Sequence, residues 1–285
     1  MPKFFTEFFN NSITGDDARH IEKSLRMKPK DRLTVCDSAG VDHLCEIRCF
    51  SDGAVLLDEI SKAPCAAEPD ISVTLYQCLL KGDKFGEVIK HSVELGVTKI
   101  VPVLSAYCVS RPSPNEYGKK TARYNKIALE AAKQCGRGII PKVSEPADIS
   151  QVPADTLMFY ECGGSPLKKI LPSVIRDFCA EGRQSGRAVN DGRCLDGTAA
   201  PCSARLGSNE DAAEENRAEE YSADDKSKKY KGGFLSILTG SEGGFSLAEA
   251  DMFKYKATLG KRILRAETAP IAALSAIMLL TGNLE

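Results

Sequence analysis

The sequence predicts an α/β protein: a mostly parallel sheet covered by helices, preceded by a small β-rich unit. Two observations lead there. After about residue 72, short apolar runs alternate with amphipathic ones. Ile71–Leu80, Thr98–Leu104, Thr156–Tyr160 and Phe234–Thr239 read as strands, and Lys84–Leu95 and Lys119–Cys135 as helices. Continuous apolar strands alternating with helices belong to sheets covered on both faces. Before residue 72, short β-type runs at Arg32–Asp37, His43–Phe50 and Gly53–Ile60 are separated by the turn formers Ser38-Ala39-Gly40 and Ser51-Asp52-Gly53.

Each element has its own local reason. Asp16 or Asp17 caps a short helix over Asp16–Lys28, with Ala18, Ile21 and Leu25 on one face and Pro29 as its stop. Ser61–Asp70, with two prolines, reads as a linker, dividing the chain into units at 1–70 and 71–285. Gly96 ends the Lys84–Leu95 helix, and Pro102 is expected at an end or edge of its strand. In Lys119–Cys135, residues Tyr124, Ile127, Ala128, Ala131, Ala132 and Cys135 recur at helical spacing. Residues 182–231 are rich in Gly, Ser, Ala and charged residues. They are too poor in large apolar groups to offset chain entropy, and are expected to be a disordered insertion between two core strands.

Bulk properties exclude more than they assign. The 285 residues, 42% of them hydrophobic, suffice for one large or two modest domains. The longest apolar run, Ala269–Leu280, is too short to span a bilayer, and no secretory signal is expected at the N-terminus. Eleven cysteines without a C-x-x-C pair suit a reducing, cytoplasmic compartment rather than a disulfide framework or zinc site. Three scattered histidines, His20, His43 and His91, make a metal centre unexpected. Net charge is −1, but unevenly spread. Residues 1–80 carry −4, whereas 119–142 carry +6, enough to track a phosphate backbone or simply to solvate a helix face.

Two segments carry chemistry. Thr239-Gly240-Ser241-Glu242-Gly243-Gly244 follows a strand and enters a helix through the capping-box pattern Ser246-Leu247-Ala248-Glu249. Strand, glycine-rich turn and capped helix is a layout that lets backbone amides approach a ligand beyond the carboxyl ends of parallel strands. The second, Leu259-Gly260-Lys261-Arg262-Ile263-Leu264-Arg265-Ala266-Glu267-Thr268, sets Arg262, Arg265 and Glu267 between a glycine turn and a buried helix that has Pro270 near its start.

Together these segments resemble the RsmE family of ribosomal RNA uracil-N3 methyltransferases. Leu259–Thr268 matches the LGxRILRxET signature in full, and Gly240–Gly244 is similar to its GPEGG loop. Lys81-Gly82-Asp83-Lys84 with Glu94-Leu95-Gly96-Val97 resembles KGD…ELGV, and Arg123–Arg137 resembles RW…IAxEAAxQxxR. His20…Leu25-Arg26-Met27 resembles an HxxxxLRM element. The resemblance implies a PUA-like β-barrel for RNA contact, followed by a SPOUT-type trefoil-knotted domain working as a homodimer. It implies S-adenosylmethionine as cofactor, held by Glu161, by Thr239, Gly240, Glu242 and Gly243, and by Leu259, Gly260, Ile263, Leu264 and Arg265. Arg265 is expected to stabilise developing charge on the uracil, while Glu242 or Glu267 orients groups or accepts the N3 proton. Arg26, Lys84, Arg123 and Arg137 are candidates for RNA contact, the substrate being a uridine in 16S ribosomal RNA within the small subunit. The alternative is a non-catalytic RNA-binding or ribosome-assembly factor on the same fold. The sequence departs from the family pattern at Ser241 (proline), Tyr124 (tryptophan), His91 (lysine) and Lys3 (arginine).

Overall fold

The computed structural model describes residues 1–6, 9–184 and 232–284. The insertion expected at 182–231 therefore lies outside the described residues, except for 182–184, which close a helix.

The N-terminal part is built on one five-stranded sheet in the order β1-β3-β4-β5-β2. Its strands are β1 (Lys3–Phe5), β2 (Ser12–Ile13), β3 (Arg32–Cys36), β4 (Val41–Ser51) and β5 (Ala54–Pro64). β4 and β5 form a long hairpin whose register shifts at Leu44/Cys45 and Ile47/Cys49; such bulges increase local twist and bend a strand. This part has its own core, in which Ile21, Leu33, Val35, Ile47 and Leu57 are almost wholly buried. This is the expected PUA-like unit. The Asp16–Lys28 helix is shorter than predicted. α1 (Gly15–Arg19) runs into a π-helical turn over His20–Ser24, and Arg26 then adopts φ 52°, which ends it before Pro29. β5 runs on to Pro64, so the first residues of the expected linker are strand.

The larger sheet has eight strands, every pairing parallel, in the order β11-β13-β10-β12-β6-β7-β8 with β9 also against β7. Its members are β6 (Ser72–Cys78), β7 (Lys99–Leu104), β8 (Lys142–Val143), β9 (Ala147–Asp148), β10 (Leu157–Phe159), β11 (Ser165–Pro166), β12 (Phe234–Thr239) and β13 (Tyr255–Thr258). The helices are α2 (Lys84–Glu94), α3 (Pro114–Cys135), α4 (Leu167–Gln184), α5 (Leu247–Ala250) and α6 (Thr268–Leu280). This is the parallel-sheet domain expected of a SPOUT-type fold. No helix among the described residues is long and apolar enough to cross a membrane.

Two expectations need correction. Pro102 lies inside β7 rather than at its end, opposite Gln77 of β6. On the other side β8 pairs only with Lys99 and Ile100, and β9 only with Val103 and Leu104. Pro102 thus sits in the gap between them, where no partner needs its missing amide. α3 begins five residues earlier than predicted, because Ser113 and Glu116 form a capping box with Pro114 in the first turn.

The seam between the two sheets is closed by buried polar contacts. Arg137, 2% exposed, donates to Glu68 at 2.7 Å and to the carbonyls of Val93 and Val97. Glu68 also accepts from the amides of Gly138 and Ile139. Burial opposes ionisation of Glu68, but the Arg137 guanidinium and the two amides outweigh it and hold the carboxyl below its ordinary range. Beside it Cys36 donates to Gly138 O at 3.0 Å, and a Cβ on Gly138 would meet Cys65 Cβ at 2.5 Å. Lys3 reaches Asp42 and, at 2.8 Å, the carbonyl of Gly136.

Removing Glu68 strands a buried guanidinium, so Glu68→Ala is expected to cost about 3–5 kcal/mol at pH 7. A depressed folded pKa stabilises above the unfolded value of about 4.3 and is lost as pH falls through the folded one. Urea unfolding should therefore show the gap between wild type and Glu68→Ala narrowing below about pH 4; a gap independent of pH would refute this account.

Candidate active site

In a parallel sheet all carboxyl ends lie along one edge, and the loops that leave them gather there. β13, β10 and β12 are consecutive neighbours. Their following loops, Tyr160–Glu161, Gly240–Gly244 and Leu259–Glu267, therefore adjoin, and with Lys84 they line a cavity of about 430 Å³. That size falls in the range of about 300–1,000 Å³ typical of small-molecule sites.

The glycine loop is set from below by a residue that periodicity did not single out. Gln77, fully buried in β6, accepts from Thr239 Oγ1 at 2.6 Å and donates to Gly240 O at 3.0 Å and Cys78 O at 2.9 Å. The loop then closes on itself through a bridge between Ser241 and Gly244, whose amide donates to Ser241 O at 3.0 Å. Gly244 has φ 67°, and a Cβ there would collide with the Glu161 carboxylate. Gly260 turns the third loop at φ 102°. Both turns use conformations that favour glycine.

Of the expected cofactor residues, Glu161, Gly240, Glu242, Leu259, Gly260, Ile263, Leu264 and Arg265 line the cavity. Thr239 and Gly243 do not: Thr239 is the buried tie to Gln77, and Gly243 packs against Tyr107. Phe159, Tyr160, Ser241, Thr258 and Arg262 also line it. Of these, Tyr160 is signalled by its place at the end of a strand.

The expected catalytic carboxylates share one cation. Lys84 Nζ stands 3.3 Å from Glu267 and 3.7 Å from Glu242, and Glu242 also accepts from the Lys81 amide at 3.1 Å. Lys84, read from sequence as an RNA contact, is thus part of the cavity wall. Glu267 is held below the ordinary carboxylate range, first by its own backbone amide and then, against a desolvation penalty, by Lys84 and Arg265. The side chains of Lys261, Arg262 and Arg265 are exposed around the mouth and make no side-chain hydrogen bond or close ion pair among the described residues, though the Arg265 charge acts on Glu267. Ile263 between them is 85% exposed.

The other three RNA candidates separate. Arg26 is exposed at the end of the π turn. Arg123 is exposed and paired with Asp83 at 2.7 Å, one residue from Lys84. Arg137 is buried in the Glu68 lock and cannot meet RNA, which corrects that expectation. The departures also find places. Tyr124 packs on Phe85 with ring centroids 4.9 Å apart, and His91 lies between Glu87 and Glu94.

Lys84→Met should raise the Glu267 carboxyl toward its ordinary value, though its own amide keeps part of the depression. Carboxyl-detected NMR titration reads this directly, and an unshifted Glu267 would show that Lys84 does not set its charge.

Comparison with known proteins agrees with this architecture. A family model described as an RNA methyltransferase domain matches residues 67–172 and 204–278, and one described as an RNA methyltransferase PUA domain matches 13–48. The Bacillus subtilis ribosomal RNA small subunit methyltransferase E is 28% identical, covering 93% of this chain and 88% of its own. Its counterpart from Buchnera aphidicola subsp. Schizaphis graminum is 25% identical, covering 100% and 98%. Among solved structures, a ribosomal RNA small subunit methyltransferase E from Neisseria gonorrhoeae bound to S-adenosyl methionine superposes with a TM-score of 0.67 at 23% identity, covering 98% of both chains. With its catalytic-domain model matching well over half of its residues, the chain belongs to the RNA methyltransferase family that includes ribosomal RNA small subunit methyltransferase E, the RsmE family.

Proposed function

We propose that this protein uses S-adenosylmethionine to methylate N3 of a uridine in 16S ribosomal RNA. The observation that carries the reading is the convergence of three main-chain loops on one cavity lined also by Lys261, Arg262 and Arg265. The lining suits the cofactor: apolar Phe159, Leu259, Ile263 and Leu264 for an adenine ring, the Glu161 carboxylate for hydroxyls or an ammonium, and glycine main chain for close approach. Ser241, buried, also lines the cavity, and its hydroxyl interacts with the Cys108 thiol behind the loop.

S-adenosylmethionine supplies the electrophilic methyl group. The chain's task is to hold the uracil in line and to manage the charge left when N3 loses its proton. Arg265, which lines the cavity, is the candidate to stabilise that charge. Glu267, held ionised, is a weak base and better suited to orienting Arg265 and Lys84. Glu242 faces the same lysine and is the candidate proton acceptor. In this reading residues 1–70 form the RNA-binding unit and 71–285 the methyltransferase unit. Arg26 and Arg123, with Lys261 and Arg262, meet the phosphate backbone of the small-subunit RNA. The working form is a homodimer, supported by α6. This helix is largely apolar around its circumference, with Leu279 59% exposed and Ile271 and Ala272 only partly buried.

The test is methyl transfer from labelled S-adenosylmethionine to small subunits or 16S RNA, followed by mapping of the methylated nucleotide, on a preparation whose mass in solution is also measured. A dimer that yields 3-methyluridine, with Arg265→Ala reduced about 10²-fold or more as for loss of one charge-stabilising donor, is the expected result. Full activity in Arg265→Ala would remove that residue's role. RNA binding without transfer would favour the assembly-factor alternative.

A further inference from the structure

The glycine loop has two faces. Gly240, Ser241, Glu242 and Gly244 look into the cavity, whereas Gly243 faces away from it. Behind Gly243 stands the turn that follows β7. A Cβ on Gly243 would lie 2.6 Å from Tyr107 Cβ and 3.0 Å from Tyr107 O. The absence of a side chain there lets the two backbones touch.

That turn is held with unusual care for an irregular segment. Cys108 N donates to Ser105 O at 3.2 Å. Arg111 donates to Ser105 O at 2.6 Å and to Ala106 O at 3.1 Å. Glu249 then ties it to the far side of the glycine loop. It is only 6% exposed, and one carboxylate oxygen accepts from Ala106 N at 2.7 Å. The other accepts from Ser246 N and Ser246 Oγ, both at 2.9 Å. The cap of α5 needs only the Ser246 half of this arrangement. A buried carboxylate is costly unless every oxygen is satisfied, and here the second oxygen is spent on another loop.

We propose that Glu249 is a positioning residue for cofactor binding. It clamps the Ser105–Cys108 turn against the back of the glycine loop, so that Tyr107 fixes the main chain of Gly240–Gly244 in its ligand-ready shape. This rests on the cofactor reading above. Glutamine at 249 has one acceptor oxygen for three donors on two loops, so at least one of the amides of Ala106 and Ser246 loses its carboxylate partner. Loss of one charge-assisted bond to a loop that must be preorganised corresponds to about a tenfold weaker binding.

The test is calorimetric titration of the full chain with S-adenosylmethionine, run in parallel on wild type, Glu249→Gln, Gly243→Ala and Ser246→Ala, with a melting curve for each. Ser246→Ala weakens the α5 cap but leaves the Ala106 tie in place. The expected result is a Kd raised about tenfold in Glu249→Gln and in Gly243→Ala, with Ser246→Ala near wild type despite a comparable loss of melting temperature. KM for the cofactor should rise in the first two with kcat at saturation little changed. If Glu249→Gln does not fold, Gly243→Ala carries the test. Wild-type affinity in either loop variant, or equal weakening in all three in proportion to lost stability, overturns the proposal. Failure of wild type to bind overturns the cofactor reading itself.

Discussion

The site depends first on the pairing of β6 with β12. Six consecutive residues, Phe234–Thr239, lie in parallel register with Ser72–Gln77, though about 160 positions separate them in sequence. Parallel pairing gives no hairpin to fix register, so buried side chains must do so. Gln77 does it most directly. Its side chain is shut away from water, which makes its hydrogen bonds to Thr239 and Gly240 obligatory rather than optional. A slip of one residue would leave the buried amide without its partners Thr239 and Gly240. The same bonds fix where β12 ends and the glycine loop begins.

From that anchor the loop is held on three sides. Gln77 fixes its entry, Glu161 fills the space that a side chain on Gly244 would need, and the Tyr107 turn supports its back. Lys84 adds an electrostatic tie, drawing Glu242 and Glu267 from two loops toward one ammonium. Little at the site is held by long flexible side chains reaching out alone. The exceptions are Lys261, Arg262 and Arg265, whose side chains make no hydrogen bond or close ion pair among the described residues. Under the proposed function, cations held this loosely could meet a phosphate backbone without first breaking close internal ion pairs.

Much of this was legible in the sequence, for reasons that can be named. β12 and β6 announced themselves as continuous apolar runs, and the Ser246–Glu249 capping box formed as written. Both motif loops reached one cavity because strand-loop-helix order in a parallel sheet leaves them no other edge. Other features were hidden. β13 is a four-residue strand with a lysine in it, too short for a period to show. The start of α3 was missed because Pro114 and Gly118 mask a helix that its cap alone begins. Arg137 read as part of a basic stripe, since charge in sequence does not say which side chain turns inward; its partner Glu68 lies 69 positions away. Gln77 and the second bond of Glu249 are tertiary facts, invisible until distant loops meet.

The central claim is that these three loops form one preorganised cofactor pocket. Calorimetric titration of the unmodified chain with S-adenosylmethionine, without RNA, tests it most directly. Saturable binding of one cofactor per chain, weakened severalfold when Gln77 is replaced by leucine, is the result this account predicts. No saturable binding, with the protein shown to be folded, would contradict it.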